Sequence, residues 1–535
     1  MSNNKNLPKG SCLHDGCAHD DHHKQGIGRR DFIKNLGLIS AGTLAFSSIP
    51  LSSLLASPAI QEALSGTGDR VLVIIRLKGG NDGLNTFVPV FDYGTYANHR
   101  PNLKIAQAGL VALDSKYSVP NYASSLKNLW DAGKMKVVQN VGYANPDLSH
   151  FTSTDTWDSA QTGQGEKSGW MGRYLWNQHP DFITNPSPEP LAIQIGGDGN
   201  ILFFNENNID MAMNVIDPVT LYQIAQTGSL YSVGGTAPCY YEDQLDFMKS
   251  MINSTFYQSQ TIQTAFNAGS NSVAFPSGLG ESLSLVSRLI KGGLQTKIYM
   301  LTLDGFDTHA QQDTKHPDLL VEFGDSVKAF YDDLAAGSKD QNVLTMTFSE
   351  FGRRVNDNGS QGTDHGTAAP LMMFGPAVNG NGFVGDDVNL SDLDVFGNLK
   401  FRTDFREVYT TVLQDWLCLN EVTSDTILGG SYSKLALGFN CTSSGINEIK
   451  TAQKYHQLRY DNGRAFIFLN LPENGNVQLE VYDFIGKKVA STSNEYYSKG
   501  LHTMRIPGIE TWATGAYVYR IYIYGKVESG KLMRY

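Results

Sequence analysis

The residues of this chain with chemical potential follow, or lead into, short apolar runs. Lys78-Gly79-Gly80-Asn81-Asp82-Gly83-Leu84-Asn85 follows the run Val71 to Leu77, and Asp304-Gly305-Phe306-Asp307-Thr308-His309 follows Lys297 to Leu303. Ser349-Glu350-Phe351-Gly352-Arg353-Arg354 follows Val343 to Phe348, and Gly362-Thr363-Asp364-His365-Gly366 leads into Leu371 to Phe374. Ser149-His150-Phe151-Thr152 opens a helical stretch, where a hydroxyl meets the positive end of a helix. Asp, Glu and His gathered in this way form a ligand set for hard-to-borderline divalent metals. Each also has a plainer role. Asp82 in a glycine-rich turn bonds its own loop backbone, Ser149 caps a helix, His309 or His365 is a satisfied polar group, and Arg353 and Arg354 pair with surface acids. Their recurrence beside successive apolar runs points to one shared pocket.

The runs that must position these groups read as strands buried on both faces of a parallel sheet. Lys136 to Val141 has the same form. Helical patterns alternate with them: Leu320, Phe323, Val327, Phe330 and Leu334 fall on one face of a helix over Leu319 to Leu334. Alternating strand and helix predict an α/β doubly wound sheet with helices on both faces, where ligands bind outside the carboxyl ends of the strands. At 535 residues, with 41% hydrophobic and 18% charged residues, the chain should form two or three domains. The net charge of −11 and the dispersed Lys and Arg leave no basic face for a nucleic acid. Cys12, Cys17, Cys239, Cys418 and Cys441 are too few and too scattered to staple the fold, and one bridge, Cys418 to Cys441, is the most they allow.

The two ends read differently from the middle. Gly28-Arg29-Arg30-Asp31-Phe32-Ile33-Lys34, followed by the apolar run Leu36 to Leu55 with Gly37, Gly42 and Pro50 inside it, has the layout of a twin-arginine export signal over residues 1–56, cleaved near Ala56. The interruptions argue against a membrane span, so the mature chain should have none. The leader from Ser11 to His23 holds thiolates and imidazoles that could bind a metal, but it would be lost with the signal. Residues 446–535 carry alternating β-branched and aromatic runs: Ala465 to Leu471, Val477 to Asp483, Lys488 to Thr492, Leu501 to Ile506 and Ala516 to Tyr524. Asn474-Gly475 and Ile485-Gly486 supply turns, the pattern of a small C-terminal antiparallel β-sandwich. Val481-Tyr482-Asp483-Phe484-Ile485-Gly486-Lys487-Lys488-Val489, Gly500-Leu501-His502, Thr514-Gly515-Ala516-Tyr517-Val518-Tyr519 and Gly530-Lys531-Leu532 resemble the C-terminal sorting domain of the type IX secretion system of Bacteroidetes. The resemblance implies export through the periplasm to the cell surface or medium, with the twin-arginine translocase and the type IX machinery as partners. An ordinary carbohydrate-binding sandwich has the same strand pattern.

The middle domain, residues 57–445, carries a second resemblance. Gly79 to Asn85, Ser149-His150-Phe151, Ser168-Gly169-Trp170, Gly305 to His309, Ser349 to Arg353 and Gly362 to Gly366, in that order, resemble an uncharacterised bacterial family of twin-arginine-exported, sulfatase-like proteins related to the alkaline phosphatase superfamily. The resemblance implies an alkaline-phosphatase-like sheet and a metal-dependent hydrolase of phosphate or sulfate esters, acting on extracellular polysaccharide or another anionic ester. On this implication Asp82, Asp307, His309, Glu350, Asp364 and His365 are the candidate metal ligands. Ser149 is the nucleophile with Thr152 in reserve, and Arg353 or Lys78 holds anionic oxygens. Asn85 and His150 complete the substrate-binding set. Where the superfamily has an Asp-His pair, this chain has Ser349-Glu350-Phe351, so a histidine is missing. With Glu350 as an oxygen ligand the site could hold one metal, a harder ion such as Mg, Mn or Ca in place of Zn, or none; if Asp364-His365 is instead the missing pair, the late histidine is left unassigned, and the alternative function is a surface scaffold with a degenerate site.

Overall fold

The computed structural model describes residues 70–534, excepting 164, 181, 183–186, 197–199, 228–239, 442–455, 462–463, 472–473, 484–486, 514 and 524–525. The twin-arginine segment, its cleavage point, the Cys/His leader, Cys239, and the Ile485-Gly486 turn lie outside the described residues. The chain divides into two compact units, Met1–Thr442 and Ser443–Tyr535.

The first unit is built on a mixed sheet of β1 (Val71–Lys78), β2 (Met135–Gly142), β3 (Ala192–Ile195), β4 (Ala212–Asn214), β5 (Ile298–Asp304), β6 (Val343–Phe348), β7 (Ala369–Phe374), β8 (Gly382–Val384) and β9 (Thr403–Asp404). Their order is β8-β2-β7-β6-β1-β5-β3-β4, with β9 also on β2. β1 pairs in parallel with β5 and β6, and the registers Lys78 to Asp304 and Arg76 to Phe348 bring the three strands to a common carboxyl edge. The sheet departs from the expected parallel form at β7, which runs antiparallel to both β2 and β6. This reversal has a direct consequence: the residues entering β7 lie at the edge where those leaving β1, β5 and β6 emerge. His365-Gly366 completes the approach by pairing antiparallel with Gly352-Arg353.

Side-chain alternation along β1 explains why the sheet is covered on both faces. Val73, Ile75 and Leu77 enter one apolar layer, while Leu72 and Ile74 enter the other. The first layer is covered by α1 (Ser124–Asp131), α4 (Leu279–Lys291) and α5 (Gln312–Ala336), the second by α2 (His150–Ser159), α3 (Trp170–Gln178) and α6 (Phe405–Thr411). In α5 the apolar residues at helical spacing, Leu320, Phe323, Val327, Phe330 and Leu334, are fully buried. The helix stops at Gly337, whose N–H bonds back to the Asp333 and Leu334 carbonyls. The architecture is an α/β doubly wound sheet. Cys418 and Cys441 form a disulfide, with Cα atoms 5.4 Å apart.

The second unit is antiparallel. His456–Asp461, Arg464–Leu471 and Gly500–Arg505 form one sheet, and Lys488–Ser491, Gly475–Asp483, Gly515–Ile523 and Lys526–Arg534 another, with Glu495–Tyr497 added to Gly475–Asp483. Ala465, Ile467 and Leu469 share one core with Leu479, Val481 and Ile521, so the two sheets form a sandwich. Among the described residues of the chain, no helix is long and apolar enough to cross a membrane.

Candidate metal centre

Asp307 leaves β5 and lies at the centre of the carboxyl-edge cluster. Its Oδ1 accepts from Arg353 Nη2 at 2.7 Å and lies 3.1 Å from His365 Nε2 and 3.2 Å from His309 Nε2. Its Oδ2 is 3.5 Å from His150 Nε2. Burial alone would raise this carboxyl, but the hydrogen bond and the charge of Arg353 outweigh it and hold it below the usual carboxylate range. The donor atoms of His150, Asp307 and His365 lie within 4.8 Å of one another, a group able to hold a metal ion.

The outer nitrogens of the three histidines decide what the inner ones can do. His365 Nδ1 donates to the Leu148 carbonyl at 2.9 Å, His309 Nδ1 donates to Asp364 Oδ1 at 3.1 Å, and His150 Nδ1 donates to Glu350 Oε1 at 3.0 Å. A neutral imidazole whose Nδ1 carries the proton keeps a lone pair on Nε2. His309 Nε2 and His365 Nε2 face each other at 3.0 Å, and two lone pairs at that distance repel unless a proton or a cation lies between them. Imidazoles held from outside by a carboxylate or carbonyl, with their other nitrogens convergent, are the arrangement that metal-binding histidines adopt. The two imidazole nitrogens and one carboxylate of this group, with His309 Nε2 adjoining, suit a borderline divalent ion such as Zn or Mn better than Ca or Mg, which favour oxygen ligands.

The other expected site residues divide into supports and residues elsewhere. Asp364 is half-exposed and acts from outside the cluster, bonding His309 and Asn358. Glu350 is fully buried, and its Oε1 accepts from the Gly79 N–H at 2.9 Å as well as from His150. Phe351 is buried, with its ring 4.2 Å from that of His365 and 4.9 Å from that of His150, an apolar wall for both. Asp82 stands apart from the cluster. It is buried, pairs with Arg100, accepts from Gln312 Nε2, and caps Gly83–Thr86 through the Leu84 and Asn85 amides. Asn85 belongs to the same buried knot, bonding Arg100, Tyr96 and the Leu103 carbonyl, so it faces no solvent-borne ligand.

Arg353 is likewise turned inward. Its side chain is buried and donates to the carbonyls of Gly79, Gly80, Phe306 and Thr363 and to Asp307, which engages every nitrogen of the guanidinium. Lys78 is partly exposed and pairs with Asp304 at 2.8 Å. Ser149 is the N-cap of α2 and makes no side-chain capping bond; Thr152 lies in the first turn. Arg100, Gln312, Arg76 and Thr154 were not among the expected residues. Arg76 alone had a visible signal, a charge inside an otherwise apolar strand.

A family model described as a protein of unknown function, DUF1501, matches residues 235–416, the stretch that carries Asp307, His309, Glu350, Arg353, Asp364 and His365. No curated protein matches the chain. Among solved structures, a protein in the alkaline phosphatase superfamily from Vibrio parahaemolyticus matches at 10% identity and a TM-score of 0.27, covering 80% of this chain and 82% of that one. The lipoteichoic acid synthase LtaP from Listeria monocytogenes matches at 7% identity and a TM-score of 0.28, covering 80% and 88%. The PsFucS1 sulfatase from Pseudoalteromonas sp. matches at 9% identity and a TM-score of 0.29, covering 85% and 88%.

Proposed function

We propose that the chain is an exported, metal-dependent hydrolase of phosphate or sulfate esters. The observation that carries this reading is the convergence of His150, His309 and His365 Nε2 on Asp307, each ring held from behind at Nδ1. These four side chains would hold the divalent ion. Such an ion supplies Lewis-acid stabilisation of transferring oxygens and lowers the pKa of a coordinated hydroxyl. Ser149 is the proposed nucleophile: it adjoins His150 at the start of a ten-residue helix, whose free N–H groups favour negative charge on a bound ester oxygen. Arg353 serves by holding Asp307 ionised and in place, a positioning role in place of the expected contact to substrate.

The substrate class is an anionic ester of the extracellular space, such as a sulfated or phosphorylated polysaccharide. The twin-arginine translocase and the type IX machinery are the proposed partners on the route outward. A second reading, a non-catalytic surface protein that binds the ion, is favoured by two features: Phe351 fills space beside two histidines, and the Arg353 side chain is buried and turned to loop carbonyls and Asp307. A panel of aryl phosphate and sulfate esters assayed with the metal-loaded protein separates the two. The hydrolase reading predicts turnover in the wild type and a loss of at least about 100-fold in Ser149→Ala and His309→Ala. Absence of turnover from a protein that carries its metal would establish the binding reading instead.

A further inference from the structure

Helix α2 carries a polar stripe on its buried side. His150, Thr154 and Asp158 are spaced four residues apart, so they stack along one face. Thr154 and Asp158 are buried in the layer between α2 and the sheet. Arg76 comes from the middle of β1 into the same layer and is also buried. Its Nη2 donates to Thr154 Oγ1 at 2.8 Å and lies 3.8 Å from Glu350 Oε1. That oxygen accepts from the Gly79 N–H and from His150 Nδ1. A line of polar contacts therefore runs from Thr154 to Arg76 by a hydrogen bond, from Arg76 to Glu350 by the 3.8 Å ion pair, and from Glu350 to His150 by a hydrogen bond. A well-packed apolar pair of similar volume would be at least as stable as a buried Arg and Glu, so stability alone does not account for their charges.

We propose that Arg76 and Thr154 are positioning residues that act through Glu350 to fix the His150 imidazole with its Nδ1–H inward and its Nε2 directed at Asp307. The inference rests on His150 being a metal ligand, as in the proposed function, but the ring's protonation pattern can be read without any metal. Thr154 orients the guanidinium, the guanidinium fixes the Glu350 carboxylate, and the carboxylate selects the Nδ1–H form of His150. Outer partners of this kind change metal affinity by about 10- to 100-fold when removed.

The test uses the full chain and two readouts. Nitrogen chemical shifts of the His150 ring in metal-free protein, assigned by comparison with His150→Gln, show which nitrogen carries the proton; calorimetric titration with Zn(II) gives the affinity. Thr154→Val, nearly equal in volume, should mix the two ring forms and weaken Zn(II) binding several-fold, and Arg76→Met should weaken it about tenfold or more. Thr154→Ser, which keeps the hydroxyl, should match the wild type in both. Should Arg76→Met fail to fold, the Thr154 pair still decides the matter. An unchanged ring form in folded Thr154→Val protein would overturn the proposal. A wild type that binds no Zn(II) would count against the metal reading alone, because the ring-form comparison does not depend on it.

Discussion

A single guanidinium, that of Arg353, ties together the loops after β1 and β5 and the segment entering β7. Residues of this kind are hard to recognise in a sequence, because an arginine near a site looks like an anion receptor until its partners are known to be carbonyls. Asp82 shows the same effect from the other side. Its place after an apolar strand suggested a ligand, and the plainer reading, a carboxylate bonding its own loop, describes its contacts to Leu84 and Asn85, with Arg100 as the added partner 18 residues away. By contrast, the meeting of Asp307, His309 and His365 at one edge is legible, because each lies beside a buried strand that leaves little choice of edge. His150 reads from the sequence as a substrate contact, since nothing there reveals that Glu350 faces its Nδ1. Away from the site, Asp333 is fully buried and accepts from Lys291 at 2.7 Å, from Ser287 at 2.6 Å and from Asn271 at 2.9 Å. Burial alone would raise this carboxyl, but the bonds from Lys291 and Ser287 outweigh it and hold it below the usual range. A depressed folded-state pKa gives stability that is present above the unfolded value and lost as pH falls through the folded one. Asp333→Ala should therefore lower unfolding free energy by about 3–5 kcal/mol at pH 7. In denaturant titrations the difference from wild type should shrink as the pH falls below about 4.

At the scale of elements, the antiparallel course of β7 is what gathers the site. Were it parallel, Asp364 and His365 would enter at the opposite edge of the sheet from Asp307. The five long strands and α5 were readable from mainly apolar runs and helical spacing. β3, β4 and β8 were not, since three or four residues with Gln194, Asn214 or Gly382 among them form no period. The close nesting of loops depends on Gly79, which has φ of 118° and whose missing Cβ would stand 2.2 Å from the Asp307 backbone nitrogen. Only glycine fits both the dihedral and the approach. Gly79→Ala should destabilise the protein by more than about 1 kcal/mol. It should also displace Asp307, seen as weakened Zn(II) binding in calorimetry, whereas an alanine at solvent-facing Gly94, where nothing lies within 4 Å, should leave binding unchanged.

For the molecule as a whole, the division after Thr442 separates an α/β unit from an antiparallel sandwich, and the change in sequence texture, from mixed periods to short alternating runs, follows the same division. The strand Lys526–Arg534 escaped the sequence pattern because Glu528-Ser529-Gly530-Lys531 interrupts its alternation, and His456–Asp461 because only Leu458 and Tyr460 carry its apolar face. Export itself is tested by replacing Arg29 and Arg30 together with lysine: precursor should accumulate inside the cell, and undiminished secretion would remove the twin-arginine route from the account.

On the proposed function, Asp307 with His150 and His365, and His309 beside them, binds one borderline divalent ion. Elemental analysis of the purified full chain after loading with Zn(II) or Mn(II) and desalting addresses it directly. About one equivalent per chain, falling to background in both Asp307→Asn and His365→Ala while the variants remain folded, is the predicted result. A wild type that retains no stoichiometric metal, or variants that retain as much as the wild type, would contradict it.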